Sequence, residues 1–329
     1  MMSTKTRLAT AFISALSIIL RSAISPGLVN QIQIGPQNQI DLIPIKTYNN
    51  ASFELPSPFR GLRPNAMNVT ALAELLSLAL LPYTEDNTIH SESVSDKGPV
   101  VDDPDSVSGT SMATGTSMQT GKIKDGSGLM WQSSGTLTKG GCPKTVLIKN
   151  CYTLKLSEDP SKNLDPGGRT PRQRIEFLTP GYADGSSATF TWNSYLDSTV
   201  TSTPKFFHLV QLYSRGEDGP VMSLDAKNQY ASILDPLRCP SDCGDGTSMD
   251  LEAFKGRTIS HALKVTFGPL GRMDYVLGDM ATRQVELGYS MHGGSVGSQS
   301  TSLKFGTYRS AMNGMGSSLA YVGDFRSHT

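Results

Sequence analysis

After residue 142 short runs of strand-forming residues follow one another, and in three of them apolar and polar residues are set out with the period of two that sends successive side chains to opposite faces of a β-strand. The pattern predicts strands over 145–156, 172–178, 188–195, 206–213 and 220–226. It predicts further strands over 258–267, 272–277, 283–289, 302–308 and 319–325. Turn sequences separate them: Asp165-Pro166-Gly167-Gly168, Ala183-Asp184-Gly185 and Gly268-Pro269-Leu270-Gly271. Many short strands joined by polar turns predict an all-β fold, a two-sheet sandwich or a barrel. The earlier part of the chain differs. Residues 69–81 are rich in Leu and Ala and free of Pro until Pro82, which predicts one short helix. Residues 86–119 are dense in Ser, Thr, Gly and Asp and read as an exposed loop or linker, with low complexity over 106–116.

Composition sharpens this picture in three ways. The 32 Gly and 19 Pro supply the turns that a many-stranded fold needs. The 29 basic and 29 acidic residues cancel, which argues against a nucleic-acid partner, since such proteins carry a basic excess. The N-terminus reads as a secretory signal: Lys5 and Arg7 precede an apolar run over 8–20 that Arg21 interrupts, too short to span a bilayer comfortably. The expected organisation is therefore a signal peptide over 1–25, an N-terminal extension over 26–140 packed on the main domain, and a β-domain over 141–329. The expected product is a secreted, extracellular monomer without membrane attachment after cleavage. Export fits Cys142, Cys151, Cys239 and Cys243, an even set whose two close spacings make Cys142–Cys151 and Cys239–Cys243 the natural disulfides among three connectivities. It also gives meaning to the N-glycosylation acceptors Asn50-Ala51-Ser52 and Asn68-Val69-Thr70.

Three predicted strands carry candidate chemistry. Alternation puts Arg172, Arg174 and Glu176 on one face, with Gln173, Ile175 and Phe177 on the other. It puts His208 with Phe206, Val210 and Leu212, and Gln211 opposite with Phe207 and Tyr213. Lys304, Gly306 and Tyr308 share a third face, on which the glycine leaves room for a ligand. Together these residues match the needs of β-elimination from a uronate: cations or amides to neutralise the carboxylate, and a proton donor and acceptor. Trp192 is placed either on a sugar ring or between the sheets.

The ordered set Arg172-Gln173-Arg174-Ile175-Glu176-Phe177, Phe206-Phe207-His208-Leu209-Val210-Gln211-Leu212, Gly219-Pro220-Val221-Met222-Ser223-Leu224 and Leu303-Lys304-Phe305-Gly306-Thr307-Tyr308-Arg309 resembles fungal secreted polysaccharide lyases related to glucuronan and alginate lyases. The resemblance covers residues 142–325. It implies a concanavalin-like β-jelly roll of two antiparallel sheets with an acidic polysaccharide lying along the concave one. It further implies a carbon–oxygen lyase with Tyr308 and His208 as catalytic residues and Arg172, Arg174 and Lys304 as substrate-binding residues; the face shared with the arginines adds Glu176, and the sugar-stacking placement adds Trp192, as further candidate substrate contacts. No cofactor is required for such chemistry. Relatives of the fold bind a structural calcium at the sandwich edge, for which Asp324 is the candidate ligand, with the acidic turn of Asp242 and Asp245 a second candidate. In one respect the sequence departs from the resemblance: alginate-type lyases carry glutamine and histidine two residues apart, where His208 and Val210 stand here. The alternative function is a carbohydrate-binding protein of the same fold without turnover. A hydrolase of this fold would carry Glu-x-Asp-x-x-Glu on one strand, a run this sequence lacks.

Overall fold

The computed structural model describes residues 29–34, 40–45 and 109–329 apart from 167–169 and 242. The predicted signal segment, the helix over 69–81 and both glycosylation acceptors lie outside the described residues. The chain divides into two compact units, Met1–Glu74 and Leu75–Thr329. In the first, β1 (Val29–Ile34) and β2 (Ile40–Ile45) pair as an antiparallel hairpin.

The second unit is a jelly-roll sandwich of two eight-stranded antiparallel sheets. One sheet carries the cleft described below. In spatial order it contains β13 (Ser248–Asp250), β12 (Tyr230–Leu234), β11 (Pro220–Lys227), β10 (Phe207–Ser214), β17 (Thr301–Ser310), β8 (Arg172–Leu178), β5 (Met130–Ser133) and β4 (Gln119–Lys122). The backing sheet runs β16 (Val285–Val296), β15 (Gly268–Asp279), β14 (Thr258–Thr266), β9 (Ser187–Leu196), β18 (Ser318–His328), β7 (Cys151–Leu156), β6 (Thr136–Gly140) and β3 (Gly109–Thr114). One short helix, α1 (Leu251–Phe254), follows β13 and buries Leu251 and Phe254.

The period-two pattern decides which way each strand faces, because burying a large apolar side chain contributes roughly 1.5–3 kcal/mol relative to leaving it in water. Ile175 and Phe177 of β8 point into the core, and Arg172 and Arg174 point away from it. Phe177 stacks on Phe305 at 5.6 Å between ring centroids, and Phe305 meets Trp192 of the backing sheet at 5.3 Å. Trp192 also stacks on His261 at 4.6 Å. His261 is buried, and both its ring nitrogens are engaged: Nε2 with the Ser194 hydroxyl at 2.7 Å, Nδ1 with the Tyr275 hydroxyl at 2.8 Å. Desolvation in this core lowers its pKa to about 3, so it is neutral at ordinary pH.

Three expectations are corrected here. The stretch read as an exposed loop supplies β3 and the first residue of β4, and with β5 and β6 these add four strands, so the sandwich includes residues from Gly109 on, ahead of Cys142. The strand expected over 145–156 is regular only from Cys151. Before it the backbone turns, with Val146 N–H donating to Pro143 at 3.0 Å and Ile148 N–H to Val146 at 2.9 Å. The Gly268–Gly271 turn lies inside β15, where the register against β16 shifts. The cysteines pair as Cys142–Cys151, with Cα atoms 6.3 Å apart, and Cys239–Cys243, with Cα atoms 4.9 Å apart. Among the described residues no helix is long and apolar enough to cross a membrane.

Candidate functional site

A cleft of about 530 Å³ lies along β10, lined also by residues of β5, β8 and β17 and by the start of β11. Strand register assembles its chemistry. His208 of β10 sits opposite Tyr308 of β17, and Tyr308 sits opposite Arg174 of β8, so three adjacent strands present these residues in one row. Gln211 sits opposite Lys304 in a second row.

A β-irregularity makes this possible. The register of β10 shifts between His208 and Val210 against both of its neighbours. A strict alternation would send His208 and Gln211, three residues apart, to opposite faces; the shift turns both into the cleft and leaves Val210 in the core. The expected grouping of His208 with Val210 and Leu212 is therefore corrected. The cleft-facing residues two apart on this strand are Gln211 and Tyr213. Val210, where the resemblance calls for histidine, has no place in the site.

Gly306 is also corrected. Its φ is +140°, and a Cβ there would fall on the carbonyl oxygen of Ile175, so the glycine lets β17 approach β8 closely rather than leaving room for a ligand. Consequently the floor between Lys304 and Tyr308 is backbone, with Glu176 as the register partner of Gly306.

Charges are arranged in two layers. Glu176 shares the cleft face but is buried under the side chains around it and does not line the cleft, which corrects its assignment as a substrate contact. Its carboxylate accepts a hydrogen bond from the Gln211 amide and lies 3.6 Å from Arg174 and 3.7 Å from Lys304. Arg174 is further fixed by Asp165 at 2.9 Å and by the Gln132 amide oxygen at 3.0 Å. These contacts pin three cleft side chains in place. Above them Arg172, Arg174, Arg215 and Lys304 line the cleft. Arg215 donates to the hydroxyls of Ser300 and Ser302 at 3.1 and 3.2 Å. The cleft lining thus carries four cations and no carboxylate, while Asp165 and Glu176 pair with Arg172, Arg174 and Lys304 from outside it. Burial lowers the pKa of Lys304, opposed by Glu176.

Tyr308 is the most elaborately held group. Arg172 donates to its hydroxyl oxygen at 2.7 Å, and the Arg174 guanidinium lies 4.2 Å from its ring centroid. Phe206 packs on its ring at 5.0 Å, and the His208 ring is 5.7 Å away. Desolvation raises the Tyr308 pKa against the opposing pull of Arg174 and Arg172, so the phenol keeps its proton at neutral pH. Because Arg172 occupies an acceptor lone pair, the Tyr308 O–H remains free to donate. His208 Nδ1 is bonded to the Asp225 carboxylate at 2.5 Å.

Two further assignments change. Trp192 is buried between the sheets, stacked on His261 and Phe305, and cannot meet a sugar. Both carboxylate oxygens of Asp324 are occupied by N–H donors: Lys149 at 3.0 Å, Asn150 at 2.8 Å and the Asn193 amide at 3.1 Å. Calcium needs converging oxygen ligands, so this donor set does not fit it; Asp324 instead ties the 149–150 turn to β18. Among the described residues no three His, Cys, Asp or Glu side chains converge as metal ligands. Sequence reasoning missed Gln211, Asp225, Arg215 and Gln132. Gln211 was hidden by the register shift; Asp225 sits in a strand whose other residues are largely apolar.

No family model matches the chain, and no curated protein matches it. Solved structures do resemble it. An endo-β-1,4-glucuronan lyase from the fungus Trichoderma reesei matches 64% of this chain and 94% of its own at 14% identity, with a TM-score of 0.43. An alginate lyase of polysaccharide lyase family 7 matches 54% and 77% at 11% identity, TM-score 0.36, and an alginate lyase from Pseudomonas aeruginosa 54% and 82% at 13% identity, TM-score 0.34. At these identities and scores the likeness transfers no residue role and no substrate to this chain.

Proposed function

We propose that the protein is a polysaccharide lyase that cleaves a uronate-containing glycan by β-elimination. The observation that carries this reading is the row of His208, Tyr308 and Arg174 on three adjacent strands, set in a cleft lined by four cations and no carboxylate. A protonated phenol, an imidazole and fixed cations are the three kinds of group that the elimination needs. Arg174, Lys304 and the Gln211 amide are placed to neutralise the uronate carboxylate and the negative charge that grows on it as the proton at C5 departs. His208 accepts that proton. The C5–H electron pair forms the C4–C5 double bond, the C4–O bond breaks, and Tyr308 gives its proton to the leaving oxygen. Arg172, already bonded to the Tyr308 oxygen, then stabilises the tyrosinate until it is reprotonated. An acidic polysaccharide fits a cleft whose cations run from Arg172 at one end to Arg215 at the other, because successive uronates bring successive carboxylates.

A second reading, glycan binding without turnover, is favoured by one feature: Val210, where the resemblance calls for histidine, cannot titrate and is buried in the core. One experiment separates the two. Purified protein is incubated with glucuronan, alginate and polygalacturonate while the ultraviolet absorbance of the unsaturated product is followed, beside the Tyr308→Phe variant. The lyase reading expects absorbance that the variant reduces by about 10²-fold or more, the scale of a positioned proton donor. Folded wild-type protein that binds one of these polymers but yields no absorbance refutes it in favour of binding alone. Reducing ends without absorbance refute it in favour of hydrolysis.

A further inference from the structure

We infer that Asp225 is the positioning residue that makes His208 a base, by fixing which ring nitrogen carries the proton. The inference rests on the lyase reading for its catalytic consequence, while its structural half stands alone. Asp225 and His208 are register partners on β11 and β10, and His208 and Tyr308 are register partners on β10 and β17. Asp225, His208, Tyr308 and Arg174 therefore form one continuous row across four strands. Asp225 is 4% exposed, on a strand whose other residues are mostly apolar or small. A carboxylate removed from water this far costs stability unless it is paired, and its partner here is the His208 Nδ1.

The chemistry of that contact has one direction. An ionised carboxylate only accepts hydrogen bonds, so Nδ1 must be the protonated nitrogen. In the neutral ring this leaves the lone pair on Nε2, on a side chain that lines the cleft. When Nε2 takes a proton from the substrate, the imidazolium formed lies against the Asp225 charge. The same contact fixes the ring's orientation, where it also packs on the Phe206 ring at 5.0 Å and lies 5.7 Å from the Tyr308 ring. Asp225 touches neither substrate nor reacting atoms and acts only through His208. Its place outside the cleft lining agrees with this.

The test uses the full chain labelled with nitrogen-15 at histidine. Long-range proton–nitrogen spectra of the wild-type protein at neutral pH report which His208 nitrogen is protonated, with Asp225→Asn and His208→Ala as comparisons. The expected result is an Nδ1–H tautomer in the wild type and a shift toward Nε2–H in Asp225→Asn, whose amide can donate to Nδ1. A wild-type ring with bare Nδ1 overturns the inference without recourse to any variant. On the polyuronate that gives the largest signal among glucuronan, alginate and polygalacturonate, Asp225→Asn is expected to lower kcat roughly 10²-fold with KM little changed. It should have no further effect in a His208→Ala background, because the two act as a unit. An equal loss in both backgrounds marks Asp225 as merely structural and overturns the inference. Absence of turnover in the wild type refutes the lyase reading instead, and the tautomer measurement still decides the role of Asp225.

Discussion

Lowering the pH is expected to destabilise this protein through one buried side chain, His261. Its imidazole is enclosed by Trp192, Ser194 and Tyr275, none of which carries a charge to balance an added proton. Burial holds the native pKa at about 3, against an ordinary value of 6.5. Between these two values the unfolded chain binds a proton that the native protein refuses, so stability rises with pH across that window and falls as the solution is acidified. The stabilising contribution is fully present above 6.5 and is lost progressively toward 3. From about pH 8 to about pH 5 the unfolded state gains roughly one and a half pH units of protonation, worth about 2 kcal/mol at 1.36 kcal/mol per unit. That figure depends on the unfolded value and hardly at all on how far below 5 the native value lies. Urea denaturation of the wild type and of His261→Gln at several pH values between 5 and 8 measures it. The variant starts less stable, because the Ser194 and Tyr275 hydroxyls lose their partner, but its stability should fall by about 2 kcal/mol less over the same interval. Parallel curves for the two proteins would refute the reasoning, since the pH dependence would then belong to other groups.

Two further expectations follow from the packing. Gly306→Ala must place a Cβ on the Ile175 carbonyl at a φ of +140°, so a loss of at least about 2 kcal/mol in stability is expected, seen as a lower melting temperature; an unchanged melting temperature would mean that β17 and β8 do not approach as described. Trp192→Ala removes the largest fully buried side chain among the described residues and should cost about 3–5 kcal/mol. Affinity of the folded variant for a polyuronate, measured by calorimetry, should be unchanged; weakened binding in a stably folded variant would return Trp192 to the glycan.

How far the sequence could be read depended on what each strand buries. β8 was legible to the residue, because Ile175 and Phe177 alternate with two arginines and only one register hides the apolar pair. β3 and β4 were not, because Gly109–Thr114 and Gln119–Lys122 are built almost wholly from Gly, Ser, Thr and other polar residues, with Ala113 the one fully buried apolar side chain. Both occupy sheet edges, where one neighbour suffices and the burial that writes a pattern is small. The strand order itself has no local signature: β17 lies between β8 and β10, far from both along the chain.

The same division explains the site. Arg172, Arg174, Lys304 and Tyr308 were legible because each stands on a strand of unbroken alternation, so the face of one residue gives the face of all. His208 and Gln211 straddle the register shift, and there the rule that worked elsewhere assigns the wrong face. Such a shift is a property of three strands at once: β17 takes four residues from Tyr308 to Lys304, β10 takes three from His208 to Gln211, and β11 takes two from Asp225 to Ser223. No single segment records that mismatch. Yet it is what puts the amide of Gln211 on Glu176 and the imidazole of His208 on Asp225, and so brings both polar rows of the cleft onto one face. A regular β10 would have kept one row and buried the other. The irregular element is thus the one on which the proposed chemistry depends, and its effect appears only once the neighbouring strands are in place.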